Sequence, residues 1–236
     1  MKILLFITMF FGSIIQGATG LGFAIFSMPI LTLILPIRIA TLVVLLSAFI
    51  MVLWIFYRMR DYVIVKLVSF TVIGELIGRS IGIYSLMNLG TSILKNILGV
   101  TLIIFSLYFT FYYNKIRINI SAKNSFIVGI ISGIFGGMFN IGGPPKAIYF
   151  FAATSNKMEY QGCLQATNVI TTIYSIFLHL TYGNIDLKIL QLSILGMIAV
   201  LMGTPIGLKI FKEINKSLLS KFISFLMIIM GVMLII

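Results

Sequence analysis

The sequence predicts an all-α polytopic membrane protein made of two inverted repeats, each a glycine-broken re-entrant helical hairpin followed by three transmembrane helices. Three observations predict it. Long stretches carry no charge, the second half repeats the order of the first, and a loop-charge bias emerges only when two segments turn back on themselves.

Of 236 residues, 60% are hydrophobic and only 9% are charged, with a mean hydropathy of +1.16. A soluble domain needs about 25% charged residues to wet its surface. Residues 3–37, 39–57, 96–114, 124–145, 160–185 and 189–208 contain no Asp, Glu, Lys or Arg. About 20 apolar residues suffice to cross the hydrocarbon core, and most of these runs are that long. The net charge of +12 would suggest nucleic acid in a soluble chain. In a membrane chain basic loops orient the spans, and few of these cations cluster as a phosphate backbone requires, so no nucleic-acid partner is expected. Cys163, the one cysteine, rules out an internal disulfide and reads as a small apolar filler at a helix start. The start of the chain resembles a signal peptide, but Gln16-Gly17-Ala18 sets a large polar residue where cleavage needs a small one. The segment is read as retained.

The repeat is found by sliding the chain along itself. A shift of about 120 brings Gly17-Ala-Thr-Gly-Leu-Gly22 over Gly137-Met-Phe-Asn-Ile-Gly142, each followed by proline (Pro29; Pro144-Pro145). A shift of about 125 brings Asp61 over Asp186 and Ile77–Gly82 over Met202–Gly207, and one further residue sets Lys95 over Lys221. The first repeat covers 1–113, with a hairpin over 3–34 and spans near 37–57, 65–86 and 92–113. Residues 114–123 are a cytoplasmic linker. The second repeat covers 124–236, with a hairpin over 124–154 and spans near 162–182, 187–208 and 217–236.

Loop charge selects the hairpins. If 3–34 and 124–154 each crossed once, one side would hold eight Lys and Arg and the other seven. If each returns to its side of entry, Arg58, Arg60, Lys66, Lys115, Arg117, Lys123, Lys157, Lys209, Lys212, Lys216 and Lys221 gather on one side, leaving Lys2, Arg38, Lys95 and Lys188 on the other. Cytoplasmic loops are rich in Lys and Arg. Each half then crosses an odd number of times, so the halves are inverted, an arrangement that places binding near the midplane between broken helices. Asp61 and Asp186 sit just ahead of helices and read as caps.

The sharpest local feature is Phe139-Asn-Ile-Gly-Gly-Pro-Pro-Lys146. Glycines permit a turn and prolines stop the preceding helix. Backbone groups freed at membrane depth cost several kcal/mol each unless protein, water or ligand satisfies them. Asn140, Gly142, Gly143 and Pro144 therefore mark a cavity-lining tip, where a helix N-terminus and Lys146 describe an anion site. The competing reading is a lysine that snorkels to an interface. Gly20 and Gly22 form the matching tip, although close helix packing explains such glycines equally well. Glu75 and Arg79 share a helical face inside a span. They are a structural ion pair, a substrate-facing arginine, or a protonatable carboxylate serving coupling. Gln165, Asn168 and Thr172 fall on one face of their helix, either as interhelical glue or as cavity lining. His179 lies beside Tyr182 near a helix end, a packing or interfacial position. No metal, nucleotide or other cofactor motif is present. Ser132 with His179 is the one pairing that could suggest an intramembrane enzyme, but the surrounding Gly129-Ile-Ile-Ser-Gly133 holds nothing that orients a base. An anion channel is the nearer alternative.

These paired glycine signatures, Gly17–Gly22 with Pro29, Gly74/Gly78/Gly82, Gly137–Pro145 and Gly203/Gly207 with Lys221, resemble the TauE/SafE family of sulfite exporters and 4-toluene sulfonate uptake permeases. The resemblance covers nearly the whole chain. Phe23-Ala24 stands where the family commonly has further glycines, and Lys146 and Arg79 are less typical of it. The resemblance implies a non-enzymatic, multi-pass secondary transporter in a bacterial-type inner membrane, carrying a small sulfur-containing anion such as sulfite, a sulfonate or sulfoacetate. Its partners would be that anion, the lipid bilayer and a coupling proton or ion. The reading of the residues themselves sets Lys146, Asn140, Gly142, Gly143, Pro144, Gly20, Gly22, Arg79, Gln165 and Asn168 around the cargo.

Overall fold

The computed structural model describes residues 1–112 and 120–213, with four isolated positions beyond. The described residues form helices and no strand: α1 (Lys2–Thr19), α2 (Phe23–Ile34), α3 (Ile37–Met59), a 3-10 turn (Arg60–Tyr62), α4 (Val65–Asn88), α5 (Thr91–Tyr112), α6 (Ala122–Phe139), α7 (Gly143–Ala153), α8 (Lys157–Thr181) and α9 (Leu187–Glu213). Most of the span expected over 217–236 and most of the linker over 114–123 lie outside the described residues.

Six of these helices, α1, α3, α4, α6, α8 and α9, are long and apolar enough to cross a membrane. Their outward faces are apolar: Ile73, Ile77 and Ile81 on α4, Ile173, Phe177 and Leu180 on α8, and Ile194 and Ile198 on α9 are all exposed. Leaving such side chains in water is unfavourable, whereas lipid tails solvate them. The chain is a multi-pass helical membrane protein. Helices α2 and α7, of 12 and 11 residues, span only about 17–18 Å at 1.5 Å per residue, well short of the roughly 30 Å hydrocarbon core.

Both expected breaks are present, and local stereochemistry explains them. Helix α1 ends where Gly20 (φ 81°) and Gly22 (φ 122°) take backbone conformations that side chains rarely adopt. Helix α6 ends at Asn140 (φ 60°), asparagine being the non-glycine residue most at home there. In each case the chain folds back. Gly12 of α1 faces Phe23 and Ser27 of α2, and Ser125 of α6 shares a 2.6 Å hydrogen bond with the Tyr149 hydroxyl of α7.

Packing is set by glycine. On α4, a Cβ at Gly78 would lie 2.2 Å from the carbonyl oxygen of Ile130 on α6, and one at Gly133 of α6 would lie 2.3 Å from the Glu75 carbonyl oxygen. Backbones touch because no side chain intervenes, the small-residue packing that replaces hydrophobic driving force inside a bilayer. Gly17 of α1 meets Gly207 of α9 in the same way. Helix α1 packs on α9 and α6 on α4; α9 packs on α3 and α4 on α8; α2 packs on α3 and α7 on α8; α3 packs on α8. Exchanging α1–α4 for α6–α9 returns the same set of neighbours.

Two details differ from the sequence expectation. Asp186 does cap α9, accepting from the Ile189 N–H at 2.7 Å. Asp61 does not cap α4: it lies exposed in the 3-10 turn, 3.8 Å from Arg60, because three residues separate it from the start of α4. Helix α8 begins at Lys157, earlier than expected, because Asn156 accepts from the N–H groups of Met158 and Glu159.

Candidate functional site

The two breaks face each other across a cavity of about 60 Å³, room for a few water molecules or one small anion. The first break contributes Gln16, Gly20 and Gly22 through Ile25; the second contributes Asn140 through Gly143. Between them stand Arg79 from α4, Asn168 and Thr172 from α8, and an apolar wall from α3.

Each break is braced by side chains. Gln16 donates from Nε2 to the Gly20 carbonyl at 2.8 Å and accepts from the Phe23 N–H at 3.1 Å, holding the end of α1 to the start of α2. Asn140 donates from Nδ2 to the Thr41 carbonyl of α3 at 2.8 Å, and Gln165 of α8 donates to the Gly20 carbonyl at 3.2 Å. Each tip is thus tied to a long helix of the other half. The short helices α2 and α7 both start at the cavity, so two N-termini with their partial positive charge and free N–H groups point into it. At α7 the donors are few. Pro144 and Pro145 have no N–H, leaving Gly142 and Gly143, which line the cavity and show no backbone partner among the described residues.

The charges form a connected group. Lys146 is fully buried and does not reach an interface, so the snorkelling reading fails. Its Nζ donates to both Glu75 carboxylate oxygens and to Asn168 Oδ1, each at 2.8 Å. An ammonium has three N–H bonds, and all three are used. Arg79 donates from Nε and Nη2 to Glu75 Oε1 at 3.3 Å and from Nη1 to Ser175 at 2.7 Å. A guanidinium has five N–H bonds, so Arg79 keeps donors to spare, and it is Arg79 that lines the cavity. The i,i+4 pairing of Glu75 with Arg79 was visible in the sequence; the contact of Lys146 with Glu75, 71 residues apart, was not. At the same offsets of about 120 and 125 the positions of Lys146, Glu75 and Arg79 fall on Phe26, Val200 and Thr204, which carry no charge.

Of the residues singled out from sequence, Gly20, Gly22, Asn140, Gly142, Gly143, Arg79 and Asn168 line the cavity. Lys146, Pro144 and Gln165 stand behind that lining. Gln165 accepts from Asn168 at 3.4 Å, which links the first tip through Asn168 and Lys146 to Glu75. Gln16 was missed. The signal available was a lone long polar side chain four residues before a tip glycine, inside a charge-free run. Buried Gln161, against Gly20, has no hydrogen-bond partner among the described residues.

Ser132 and His179 do not form a nucleophile–base pair. Ser132 Oγ has no hydrogen-bond partner among the described residues, and His179, buried, faces Asn184 through Nδ1 at 3.2 Å. Cys163 accepts from the Ile64 N–H at 3.3 Å and packs where α8 meets the 3-10 turn.

A membrane-embedded helical body, with a cavity between two broken helix pairs and an arginine on its wall, fits a transport protein rather than a soluble binding domain. The family model for sulfite exporter TauE/SafE matches residues 5–234, and the chain belongs to that family. Membership implies a membrane transporter of sulfur anions. No curated protein and no solved structure matches the chain.

Proposed function

We propose that the chain is a secondary transporter that carries one small sulfur oxyanion at a time, by alternating access around the two facing tips. The observation that carries this reading is the cavity itself: two helix N-termini converge on it, and Arg79 is its charged lining residue. Oxyanions are bound by N–H donors and by guanidinium groups, and both are supplied where the chain can least solvate a charge by other means.

The rest of the reading is structural. The pairs α1–α2 and α6–α7 are re-entrant hairpins, and the two halves are inverted repeats. By length α1 and α6 could each cross alone, so the re-entrant assignment rests on the fold-back at the tips, on the short second legs and on the loop-charge bias. The repeat rests on the exchange symmetry of the helix packing, with Gly17 against Gly207 and Gly137 against the Arg79–Ile83 backbone. With the basic loops inward, the protein sits in a bacterial-type inner membrane with 114–123 on the cytoplasmic side.

The test is thermal stability of purified protein with sulfite, thiosulfate, sulfoacetate, methanesulfonate and acetate, beside Arg79→Gln. A ligand at 100 times its Kd adds about 2.7 kcal/mol to the folded state. At least one of the sulfur oxyanions is expected to raise the midpoint of the parent and not of the variant, in which Glu75 and Lys146 still pair. A parent that responds to no anion, or a variant that responds as the parent does, would falsify the site.

A further inference from the structure

We infer that the site selects a singly charged oxyanion, because the charged side chains buried at and directly behind its lining sum to one net positive charge; the inference rests on the anion-transporter reading above. Among the described residues the buried charged side chains are Glu75, Arg79 and Lys146. One carboxylate stands between two cations, at 2.8 Å from Lys146 and 3.3 Å from Arg79. The group sums to +1, and the uncompensated charge is held on the side that opens to the cavity, since Lys146 has no donor left and Arg79 does. The other buried titratable group nearby, His179 one turn beyond Ser175 on α8, is kept out of the count by working at about pH 7.5, where an ordinary imidazole is mostly neutral.

A buried charge without a partner is costly in a membrane interior. One monoanion beside Arg79 makes the loaded site neutral. A dianion leaves a charge of the opposite sign. It also gives up far more hydration, because solvation energy rises as the square of the charge while attraction to a fixed site rises only in proportion to it. The N-termini of α2 and α7 add partial charge but no net charge, since each helix carries the opposite pole at its other end. Glu75 is therefore the residue that sets the valence of the cargo, by cancelling Lys146. Remove its charge and the site becomes +2.

Methanesulfonate and sulfate isolate the effect: both are tetrahedral sulfur oxyanions of similar size, one with a methyl where the other has a second charged oxygen. Each is titrated against the full-length purified protein in neutral detergent at about pH 7.5, with binding read from the thermal midpoint. The parent is expected to bind methanesulfonate at least about tenfold more tightly than sulfate. Glu75→Gln should move that ratio at least about tenfold toward sulfate. The double variant Glu75→Gln/Lys146→Met, with +1 restored by a different route, should move it back. Equal affinity of the parent for the two anions, or tighter sulfate, overturns the inference while leaving an anion site in place, and needs no variant to fold. An unchanged ratio in Glu75→Gln also overturns it. No response of the parent to either anion removes the site itself, and the inference with it.

Discussion

Replacing Lys146 by Met tests whether the three buried charges act as a unit. Lys146 Nζ lies 2.8 Å from both oxygens of Glu75. At an effective dielectric of about 20, that separation corresponds to about 6 kcal/mol of gross attraction, and the 3.3 Å contact with Arg79 to about 5 kcal/mol. Most of this offsets the hydration both ions gave up on burial. What a variant reveals is the cost of stranding the partner, about 3–5 kcal/mol for a fully buried pair. Arg79 remains beside Glu75 when Lys146 is lost, so Lys146→Met should cost about 3 kcal/mol. Glu75→Gln strands two cations and should cost at least as much. The double variant Glu75→Gln/Lys146→Met strands neither partner of the closest contact, so it should lose less than the two singles added together by at least about 2 kcal/mol. The assay is reversible unfolding in mixed micelles of increasing SDS fraction, followed by helical circular dichroism. Additive losses, agreeing within about 0.5 kcal/mol, would show that the contact contributes no coupling energy and that the three charges do not act as a unit.

Two further outcomes follow from packing and capping. Gly78→Ala and Gly207→Ala each place a methyl 2.2–2.3 Å from a backbone carbonyl oxygen of the facing helix, Ile130 and Ile14 respectively. Each should cost about 1–3 kcal/mol by forcing helices apart, whereas Gly90→Ala, with nothing within 4 Å, should cost less than about 1 kcal/mol, the loss of a favoured residue ahead of α5, in the same unfolding assay. Asp186→Ala should lose about 1 kcal/mol with the cap on α9, while Asp61→Ala, which breaks only an exposed 3.8 Å pair, should fall within about 0.5 kcal/mol of the parent; equal losses from the two would contradict the structure.

What the sequence determined by itself is whatever depends on composition or on short stretches of backbone. The charge-free runs fix the solvent as lipid, since 39–57 and 189–208 are long, dominantly apolar and without a charged side chain. The helix breaks were legible because glycine and asparagine conformations are local: α1 stops at Gly20 and α6 at Asn140, where the chain has the residues to turn. Helices α3, α4 and α9 begin at or next to the expected positions, while the start of α8 was missed because its cap, Asn156, lies outside the apolar run. The shared helical face of Glu75 and Arg79 followed from helical periodicity.

Only the tertiary structure decided which charges meet. Attraction between ions carries no sequence spacing, so nothing near Lys146 announces a carboxylate on α4. The lysine at the tip read as a free anion donor, yet its three N–H bonds end on Glu75 and Asn168, and the open donors belong to Arg79. The brace by Gln16 and the crossed ties from Asn140 to Thr41 and from Gln165 to Gly20 were hidden for the same reason. Each joins groups far apart along the chain, and a hydrogen bond of about 3 Å exists only once packing has brought its two ends together.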